Sequence, residues 1–298
     1  MLVISDLTHV YPGGTRALDG ISLEIPRGMF GLLGPNGAGK STLMRCIATL
    51  QRPSSGAIRF GDLDVLARPE ALRRQLGYLP QDFGVYPRVS ALEMLDHLAV
   101  LKGLTARGER RETVEALLQQ VNLWEVRKKA LAGYSGGMRQ RFGIAQALLG
   151  DPKLIIVDEP TAGLDPEERN RFSNLLAEIG ESVVVILSTH IVEDVTDLCS
   201  RMAILAGGRI LRSGTPHDLV AELRGKVWRK SLARTELAAA RERMTIISTR
   251  LREGRTVVHA VADGAPEEGF EPAAPALEDV YFHTLALDRA APSAGRAA

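Results

Sequence analysis

The sequence has little of what marks a secreted or membrane-spanning protein. It holds two cysteines, Cys46 and Cys199, whose positions form neither a disulfide framework nor a metal-ligand spacing. Both lie among apolar residues, so we expect free, buried thiols. Apolar runs such as Val183–Leu187 are far shorter than the ~20 residues that a membrane helix needs. Residues 1–10 also lack the charged and apolar regions of a signal peptide, so we expect neither a membrane span nor a secretory leader.

An excess of charge of one sign is missing too. Lys and Arg total 37 against 36 for Asp and Glu, a formal net charge of +1. A general polyanion partner such as nucleic acid is therefore not expected, and any phosphate site has to come from local geometry. The apolar fraction of 45% and the charged fraction of 24% are those of an ordinary folded chain. At 298 residues the chain is long enough for one large domain and a smaller one.

Short apolar segments alternate with helical patterns along the first two thirds of the chain. Met29–Leu33, Leu154–Val157 and Val183–Leu187 are too short for helices, and they predict buried strands. Lys40–Leu50 and residues 88–149 carry the spacing of helices. This alternation predicts an α/β core with a mostly parallel sheet, joined by an antiparallel β part and a helical part. Ligands of such sheets bind beyond the carboxyl ends of the strands.

The composition of the sequence changes near Pro216, and the segment that follows is rich in Arg, Ala, Glu and Leu. The elements predicted beyond it are a helix at Leu219–Arg243, strands at Met244–Ser248 and Thr256–Val261, a linker at Ala265–Pro275 and a helix at Leu277–Leu287. We therefore predict a large α/β domain over residues 1–217, with its helical part at about 88–150. A small α+β accessory domain is predicted over residues 218–298.

A glycine-rich segment follows the strand predicted at Met29–Leu33. It reads Gly34, Pro35, Asn36, Gly37, Ala38, Gly39, Lys40, Ser41 and Thr42. Glycines let backbone N–H groups wrap around phosphates, and the positive end of the following helix faces the same anion. Lys40 would reach the β- and γ-phosphates, and the Ser41 hydroxyl would bind Mg²⁺. The alternative is a glycine-rich turn with a chance lysine, but the strand-to-helix position favours the P-loop of an NTPase.

Two adjacent acids, Asp158 and Glu159, end the apolar strand at Leu154–Val157. In a P-loop protein, Asp158 suits a Mg²⁺ ligand that acts through water, and Glu159 is placed to polarise an attacking water. Two solvated acids at a strand end are the alternative. The P-loop upstream favours the functional interpretation.

A Ser-Gly-Gly sequence opens a predicted helix shortly before that strand. Ser135 can cap the helix, while Gly136 and Gly137 let a phosphate approach its positive end. A plain capped helix is the alternative. A second phosphate-binding device has no use in a chain that hydrolyses one nucleotide alone. It has a use if it contacts the nucleotide held by another copy.

Taken together, these motifs resemble the nucleotide-binding subunits of ABC transporters over about residues 1–217. Gly34–Thr42 resembles the Walker A motif, Leu154–Glu159 the Walker B motif and Tyr134–Arg141 the family signature. All of the family's motifs occur in its order, which makes the resemblance specific.

The signature departs from the family pattern at two positions. Tyr134 stands where leucine is commoner, and Met138 where glutamine is commoner. The intact Ser-Gly-Gly implies that phosphate recognition survives. The residues of the signature, Tyr134–Arg141, together with Leu277–Tyr281, resemble those of the ABC-2-type branch of drug- and polysaccharide-exporter-like proteins.

The resemblance also gives roles to single residues that would be ordinary by themselves. Tyr11 would stack on adenine, and Gln81 would touch both Mg²⁺ and the transmembrane partner. Asp165 matches the D-loop aspartate, in the segment from Ala162 to Asp165. His190 matches the switch histidine that contacts the γ-phosphate. The remaining histidines match nothing and are expected to be structural or on the surface: His9, His97, His217, His259 and His283.

The resemblance therefore implies an ATPase, with Lys40, Glu159 and His190 as catalytic residues and Ser41, Gln81 and Asp158 at Mg²⁺. The residues implied at ATP are Tyr11, Gly34, Pro35, Asn36, Gly37, Ala38, Gly39, Lys40, Ser41, Thr42, Gln81, Ser135, Gly136, Gly137 and Asp165. Two copies, or this chain and a similar one, would hold two MgATP between them. They would drive export by a separate transmembrane permease, from the cytoplasmic face of the membrane.

Two other functions remain as alternatives. A soluble ABC-type ATPase of DNA repair or translation would carry two cassettes or a long coiled coil. This sequence has one set of motifs and no sustained heptads. A regulatory module without ATPase activity is disfavoured because Lys40, Asp158, Glu159 and His190 are all present.

Overall fold

The computed structural model describes residues 1–81, 84, 86–160, 164–233, 235–252 and 254–290. In chain order, the elements up to residue 214 are β1 (Leu2–Val10), β2 (Arg16–Ile25), β3 (Gly28–Leu33), α1 (Lys40–Ile47), β4 (Ser55–Phe60), β5 (Leu63–Asp64), α2 (Pro69–Arg73), β6 (Leu76–Leu79), α3 (Ala91–Leu101), α4 (Arg107–Gln120), a 3-10 turn (Leu131–Gly133), α5 (Gly136–Leu148), β7 (Leu154–Asp158), α6 (Pro166–Gly180), β8 (Val184–Thr189), α7 (Val192–Leu198), β9 (Arg201–Ala206) and β10 (Arg209–Gly214). Within these described ranges, no helix has the length and apolarity that crossing a membrane demands.

Two sheets organise this part of the chain. The first has strand order β2-β1-β4-β5 and is antiparallel, with Ile21, Leu23 and Ile25 buried on alternate positions of β2. The second has order β10-β9-β3-β8-β7-β6, and its strands β3, β8, β7 and β6 run parallel. The predicted α/β architecture with a mostly parallel sheet is confirmed.

The parallel strands bring the predicted motifs to one edge of the sheet. Leu33 at the end of β3 lies beside Thr189 at the end of β8, and Asp158 at the end of β7 lies beside Ser188. Because parallel strands share a direction, their carboxyl ends meet at the same edge, where ligands of such sheets bind. The P-loop, Glu159 and His190 follow directly from these ends, and Asp158 is itself the last residue of β7.

The helical part contains α3, α4 and α5, as the apolar spacing predicts. Ser90 begins α3 with a capping box, in which its hydroxyl accepts from the Glu93 N–H and the Glu93 carboxylate accepts from the Ser90 N–H. The helix predicted at Lys40–Leu50 is shorter than expected. It ends at Ile47, and Thr49 has a left-handed φ of +60° that no helix can continue.

The chain divides into two compact units, Met1–Ser200 with Leu205–Ile210, and Arg201–Ile204 with Leu211 and the residues after it. Beyond residue 214 the elements are α8 (Pro216–Ala221), β11 (Val227–Leu232), α9 (Leu237–Arg243), β12 (Ile246–Arg252), β13 (Arg255–Val261), β14 (Glu271–Pro272) and α10 (Leu277–Ala290). Four of these strands form an antiparallel sheet of order β12-β13-β11-β14. A domain boundary at 217/218 remains a prediction.

The prediction of one helix over Leu219–Arg243 is wrong in its middle. Gly225 turns the chain with a φ of +73°, and β11 follows it, with Val227 and Leu232 buried at its ends. Sheet pairing along β13 outweighs the helix-forming composition of the segment. The segment at Ala265–Pro275 is also more than a linker, since it contributes β14 and a buried Phe270.

Within this second unit, α10 has the amphipathic pattern that the sequence predicts. Leu277, Val280, Tyr281 and Leu285 are buried. The carboxylate of Asp279 is buried as well, and its Oδ1 lies 2.7 Å from Nδ1 of His259 on β13. This contact fixes the helix on the sheet.

Both cysteines are free and buried, as predicted. Burial raises the pKa of Cys46 to about 11. Burial, with a contribution from Asp194, raises the pKa of Cys199 to about 12. Neither thiol is therefore a reactive thiolate at neutral pH.

Candidate functional site

The P-loop joins β3 to α1, and two of its glycines are required by backbone packing alone. Gly39 precedes α1 with a φ of +108°, and a Cβ there would lie 2.5 Å from the carbonyl oxygen of Ala17. A Cβ at Gly34 would overlap the carbonyl oxygen of Leu205. Side chains are thereby excluded from both ends of the loop, which leaves its backbone accessible.

The first turn of α1 presents Lys40, Ser41 and Thr42 at the mouth of this loop. Lys40 is buried, and its Nζ donates to the carbonyl oxygens of Gly34 at 2.6 Å and Pro35 at 3.3 Å. Burial lowers the pKa of Lys40, and the nearby carboxylates oppose that shift. The ammonium is therefore held over the loop, where P-loop lysines meet phosphate.

Asp158 and Glu159 lie where β7 ends. Asp158 is the last residue of the strand and is 3% exposed. Glu159 takes a left-handed backbone with φ +50°, and its N–H donates to the carbonyl oxygen of Ser188 at 2.8 Å. Such a conformation is uncommon outside glycine and persists only where surrounding contacts hold it. It turns the Glu159 carboxylate out of the strand direction.

The Glu159 carboxylate is the point where the predicted catalytic residues meet. Its Oε1 lies 3.1 Å from Nδ1 of His190, which follows β8, and 3.7 Å from Nζ of Lys40. Its Oε2 accepts from Nε2 of Gln81, which follows β6, at 3.2 Å. The structure therefore brings together one residue from each of three strand ends and one from the P-loop.

Tyr11 lies just beyond β1 and is held against the P-loop. Its hydroxyl lies 3.0 Å from Oγ1 of Thr42, and this hydrogen bond, followed by one with Gln51, lowers the pKa of Tyr11. The edge of the His9 ring meets the Tyr11 ring at a centroid distance of 4.8 Å and an angle of 87°. Nε2 of His9 in turn lies 2.5 Å from Nε2 of Gln51.

His9 and Gln51 are contacts that the sequence analysis missed. His9 is buried, as a structural histidine would be, but it packs on a residue of the candidate ATP site. A signal was present, because residues two apart in extended chain share a face, and Tyr11 directly follows β1, two positions after His9. Gln51 lies 42 residues from His9 in the sequence, and nothing local indicates that they meet.

Ser135, Gly136 and Gly137 begin α5, as predicted. The Ser135 hydroxyl accepts from the Met138 N–H at 3.2 Å and so caps the helix. Gly137 is buried, and a Cβ there would overlap the carboxylate of Glu168 on α6. Glycine at this position therefore serves packing within the chain in addition to any contact with a phosphate.

Asp165 caps α6, and its Oδ1 accepts from the Glu168 N–H at 2.8 Å. Ala162 and Gly163 of the predicted D-loop lie outside the described residues.

Tyr134, the unusual first residue of the signature, is buried and donates its hydroxyl to the carbonyl oxygen of Val126 at 3.0 Å. Burial raises the pKa of Tyr134, so this hydroxyl stays a donor.

Comparison with known proteins decides the family. A family model described as "ABC transporter" matches residues 18–162. The daunorubicin/doxorubicin resistance ATP-binding protein DrrA of Streptomyces peucetius is 34% identical over 276 residues, which cover 87% of this chain and 83% of that protein. The chain belongs to the ATP-binding subunits of ABC transporters.

Other members of the family extend this comparison. The linearmycin resistance ATP-binding protein LnrL of Bacillus subtilis is 36% identical and covers 76% of this chain and 72% of its own length. The methionine import ATP-binding protein MetN of Bordetella pertussis is 34% identical, over 89% of this chain and 80% of its own. Two resistance proteins and a methionine import subunit are thus similar to this chain.

Solved structures agree with this assignment. The dimeric post-hydrolysis structure of the ATP-binding cassette MJ0796, bound to ADP and Pi, has a TM-score of 0.66 at 27% identity, over 72% of this chain and 98% of that one. An ATP-binding subunit of an ABC transporter has a TM-score of 0.67 at 31% identity, over 74% of this chain and 92% of its own. This ABC subunit is therefore an ATPase of the cassette fold, and the transport interpretation is preferred over repair or translation.

The family generally requires Mg²⁺ with ATP, and one buried atom of this subunit fits that requirement. Among the described residues, Oδ1 of Asp158 is buried with no hydrogen-bond partner. An uncompensated buried carboxylate oxygen is costly, and a cation would compensate it. Oxygen donors are the ligands that Mg²⁺ prefers, so the donor set around Asp158 and Ser41 fits the ion.

Proposed function

We propose that this ABC subunit binds MgATP between two copies, or between itself and a similar chain, and hydrolyses it to drive a separate transmembrane permease. The observation that carries the proposal is the convergence of Lys40, Gln81 and His190 on the Glu159 carboxylate, within 3.1 to 3.7 Å. Such a carboxylate, held among donors beside a P-loop, is placed to orient and polarise a water that attacks the γ-phosphorus.

Each residue around the nucleotide would have a separate task. Backbone N–H groups of the P-loop, Gly34–Gly39, would wrap the phosphates, and Lys40 would exchange its carbonyl contacts for the β- and γ-phosphates. Tyr11 would stack on adenine, in the orientation that Thr42 and His9 give it.

Mg²⁺ would be held through Asp158, Ser41 and Gln81. When bound, the ion neutralises charge that develops on the phosphate oxygens. Glu159 would accept hydrogen bonding from the attacking water, and His190 would contact the γ-phosphate from the neighbouring strand end. These roles require no rearrangement of the strands, because Asp158 ends β7 and Gln81, Glu159 and His190 follow strand ends at the same edge of the sheet.

The Ser-Gly-Gly helix start supports a site shared between two copies. Ser135 and Gly136 are exposed at the positive end of α5. We infer that they meet the γ-phosphate of a nucleotide held by the partner, with Asp165 close to the same interface. A dimeric cassette with ADP and Pi among similar structures is consistent with this arrangement.

The permease and the direction of transport rest on the relatives. Proteins named for drug resistance align over most of this chain, and Leu277–Tyr281 lies in the second unit, where it begins α10. We therefore propose an exporter, with the subunit attached to the cytoplasmic face of the membrane through its permease. We also propose a nucleotide-binding domain over residues 1–217 and an accessory domain over 218–298.

One experiment tests both the partner and the chemistry. A tagged copy is isolated from detergent-solubilised membranes of cells that make the protein, alongside a Glu159→Gln variant. We expect both to co-purify with a protein that has membrane spans. We expect the wild-type complex to hydrolyse ATP and the variant to bind ATP but turn over ~10³-fold more slowly, because the water-orienting carboxylate is lost.

Two outcomes would count against the proposal. Recovery of the wild-type chain from the soluble fraction alone, with no membrane protein, would argue against transport coupling. Near-normal turnover by Glu159→Gln would remove Glu159 from its assigned role, while leaving the membrane partner intact.

A further inference from the structure

A buried carboxylate lies close behind the candidate switch histidine. Asp194 is on α7, in its first turn, and is only 2% exposed. Its Oδ2 accepts from Oγ1 of Thr189 at 3.2 Å, and the same Thr189 oxygen accepts from the Ile191 N–H at 3.0 Å. Thr189 and Ile191 are the two neighbours of His190, so this chain of hydrogen bonds holds the backbone on both sides of it.

A cation from a different helix pairs with Asp194. Arg169 on α6 donates from Nε to Oδ1 of Asp194 at 2.9 Å, and its Nη2 lies 2.7 Å from the same oxygen. The two residues are 25 positions apart. The ion pair thereby ties α6 to α7, and Asp194 carries the connection on to Thr189 beside His190.

The residue before Arg169 contacts a second functional element. The carboxylate of Glu168 occupies the space that a Cβ of Gly137 would need, at the start of α5. Glu168 also completes the cap of α6, since its N–H donates to Asp165. Adjacent residues of one helix turn, Glu168 and Arg169, therefore contact the Ser-Gly-Gly helix and the Asp194 carboxylate that holds the turn of His190.

We propose that Arg169 is a positioning residue for His190, acting through Asp194 and Thr189, and that it couples the orientation of His190 to the placement of α6 on the Ser-Gly-Gly helix. The proposal rests on the function proposed above, in which His190 supports hydrolysis and Ser135–Gly137 meet the partner's nucleotide. A shift of α6 caused by that nucleotide would reach His190 through a partly buried, charge-assisted contact.

The same helix shows what an ordinary ion pair looks like. Arg171 pairs with Glu167 one turn away, and their side chains are 57% and 76% exposed. Exposed pairs of this kind contribute little, because water and salt screen them. Arg169 differs in having a buried partner on another element, so Arg171→Ala is its matched control.

The test compares Arg169→Ala with Arg171→Ala and His190→Ala in steady-state ATP hydrolysis. We expect Arg169→Ala to lower kcat by about 10- to 100-fold with KM changed by no more than about 2-fold, because a displaced catalytic side chain costs rate more than binding. Arg171→Ala should behave as wild type. The Arg169→Ala/His190→Ala double variant should be no slower than His190→Ala alone, since both changes affect one step.

Hydrogen exchange gives a readout that does not need activity. In Arg169→Ala the amide of Ile191 should exchange faster than in the wild-type protein, while Arg171→Ala leaves it unchanged. If the wild-type protein hydrolyses no ATP, the proposed function fails, and the exchange rates still decide whether Arg169 holds this turn.

Arg169→Ala removes a cation from beside the buried Asp194 carboxylate, so poor folding is a separate concern. Arg169→Gln/Asp194→Asn removes both charges and should fold while keeping the kcat loss, and Arg169→Lys should recover part of the rate. The proposal is overturned if Arg169→Ala or the charge-free pair keeps wild-type kcat. It is also overturned if the losses of Arg169→Ala and His190→Ala multiply, or if Ile191 exchange is unchanged.

Discussion

Glu159 is held in its position from several directions, and its backbone conformation is part of the arrangement. A left-handed φ at a non-glycine residue costs about 1–3 kcal/mol. Here the N–H of Glu159 is fixed by the carbonyl of Ser188, and its carboxylate is surrounded by His190, Lys40 and Gln81. The strain therefore accompanies a carboxylate that is oriented before any substrate binds, as electrostatic preorganisation requires.

The neighbouring Asp158 offers a test of the metal site at the scale of one residue. Asp158→Asn keeps the shape of the side chain and removes the charge that would attract Mg²⁺. We expect the Mg²⁺ concentration for half-maximal ATP hydrolysis to rise about 10- to 100-fold. Loss of a residue that binds a metal through one of its ligands, such as a water, typically weakens metal binding by that factor. A Mg²⁺ titration of the ATPase rate measures this shift.

The control for that substitution lies at the other end of β7. Asp151 precedes the strand, its side chain is 86% exposed, and it pairs with Lys153. Asp151→Asn should leave the Mg²⁺ titration unchanged. An equal shift in both variants would mean that general charge loss, and not the position of Asp158, is responsible.

At the scale of elements, two P-loop glycines allow the cost of a strained backbone to be distinguished from the cost of a steric clash. Gly39 and Gly37 both have positive φ, +108° and +79°, but a Cβ at Gly37 has open space while one at Gly39 meets Ala17. Gly13 has open space and no positive φ. The three positions thus form a graded series within one unit.

We expect Gly13→Ala to change the free energy of unfolding by no more than about 0.5 kcal/mol, as a surface substitution does. Gly37→Ala should lose about 1–2 kcal/mol from backbone strain. Gly39→Ala should lose about 2–5 kcal/mol, since overpacking adds to that strain. Urea unfolding measures all three.

The chain has two tryptophans, Trp124 in the first unit and Trp228 in the second. In a Trp228→Phe background, fluorescence therefore reports unfolding of the unit that contains the P-loop. Equal losses for Gly37→Ala and Gly39→Ala would show that the close approach to Ala17 is unimportant.

Elements also show where sequence patterns are reliable. The bounds of strands β3, β7 and β8 were predicted within one or two residues. A short run of branched apolar residues between polar residues is too short for a helix and is typical of a buried strand. Leu219–Arg243 was predicted as a helix and contains β11. Its composition favours a helix, but pairing with β13 is a tertiary interaction that no local propensity expresses.

For the whole molecule, the placement of Ser135–Gly137 predicts that one copy is insufficient. Ser135→Arg puts a long side chain at the exposed start of α5. We expect ATP binding by the single chain to stay within about 2-fold of wild type. The ATP-dependent dimer should be lost and turnover should fall by about 100-fold or more, because a donor group to the γ-phosphate is blocked. Size-exclusion chromatography with ATP and an ATPase assay measure both.

Ser182→Arg is the matched control, because Ser182 is exposed and precedes β8, at the opposite edge of the sheet from the P-loop. It should dimerise and hydrolyse ATP as the wild-type protein does. Normal turnover by Ser135→Arg as a monomer would rule out the two-copy model.

The sequence by itself determined the family, the order of the motifs and the edge of the sheet at which they gather. These follow from short-range rules, since glycine spacing, apolar run length and strand direction act within a few residues of the chain. Only the tertiary structure decided that Glu159 is the common partner of Lys40, Gln81 and His190, that Glu168 fills the space over Gly137 and that Arg169 reaches Asp194. Those contacts join segments far apart in the chain. Which side chains meet there depends on how strands and helices pack, and local sequence patterns carry no information about that packing.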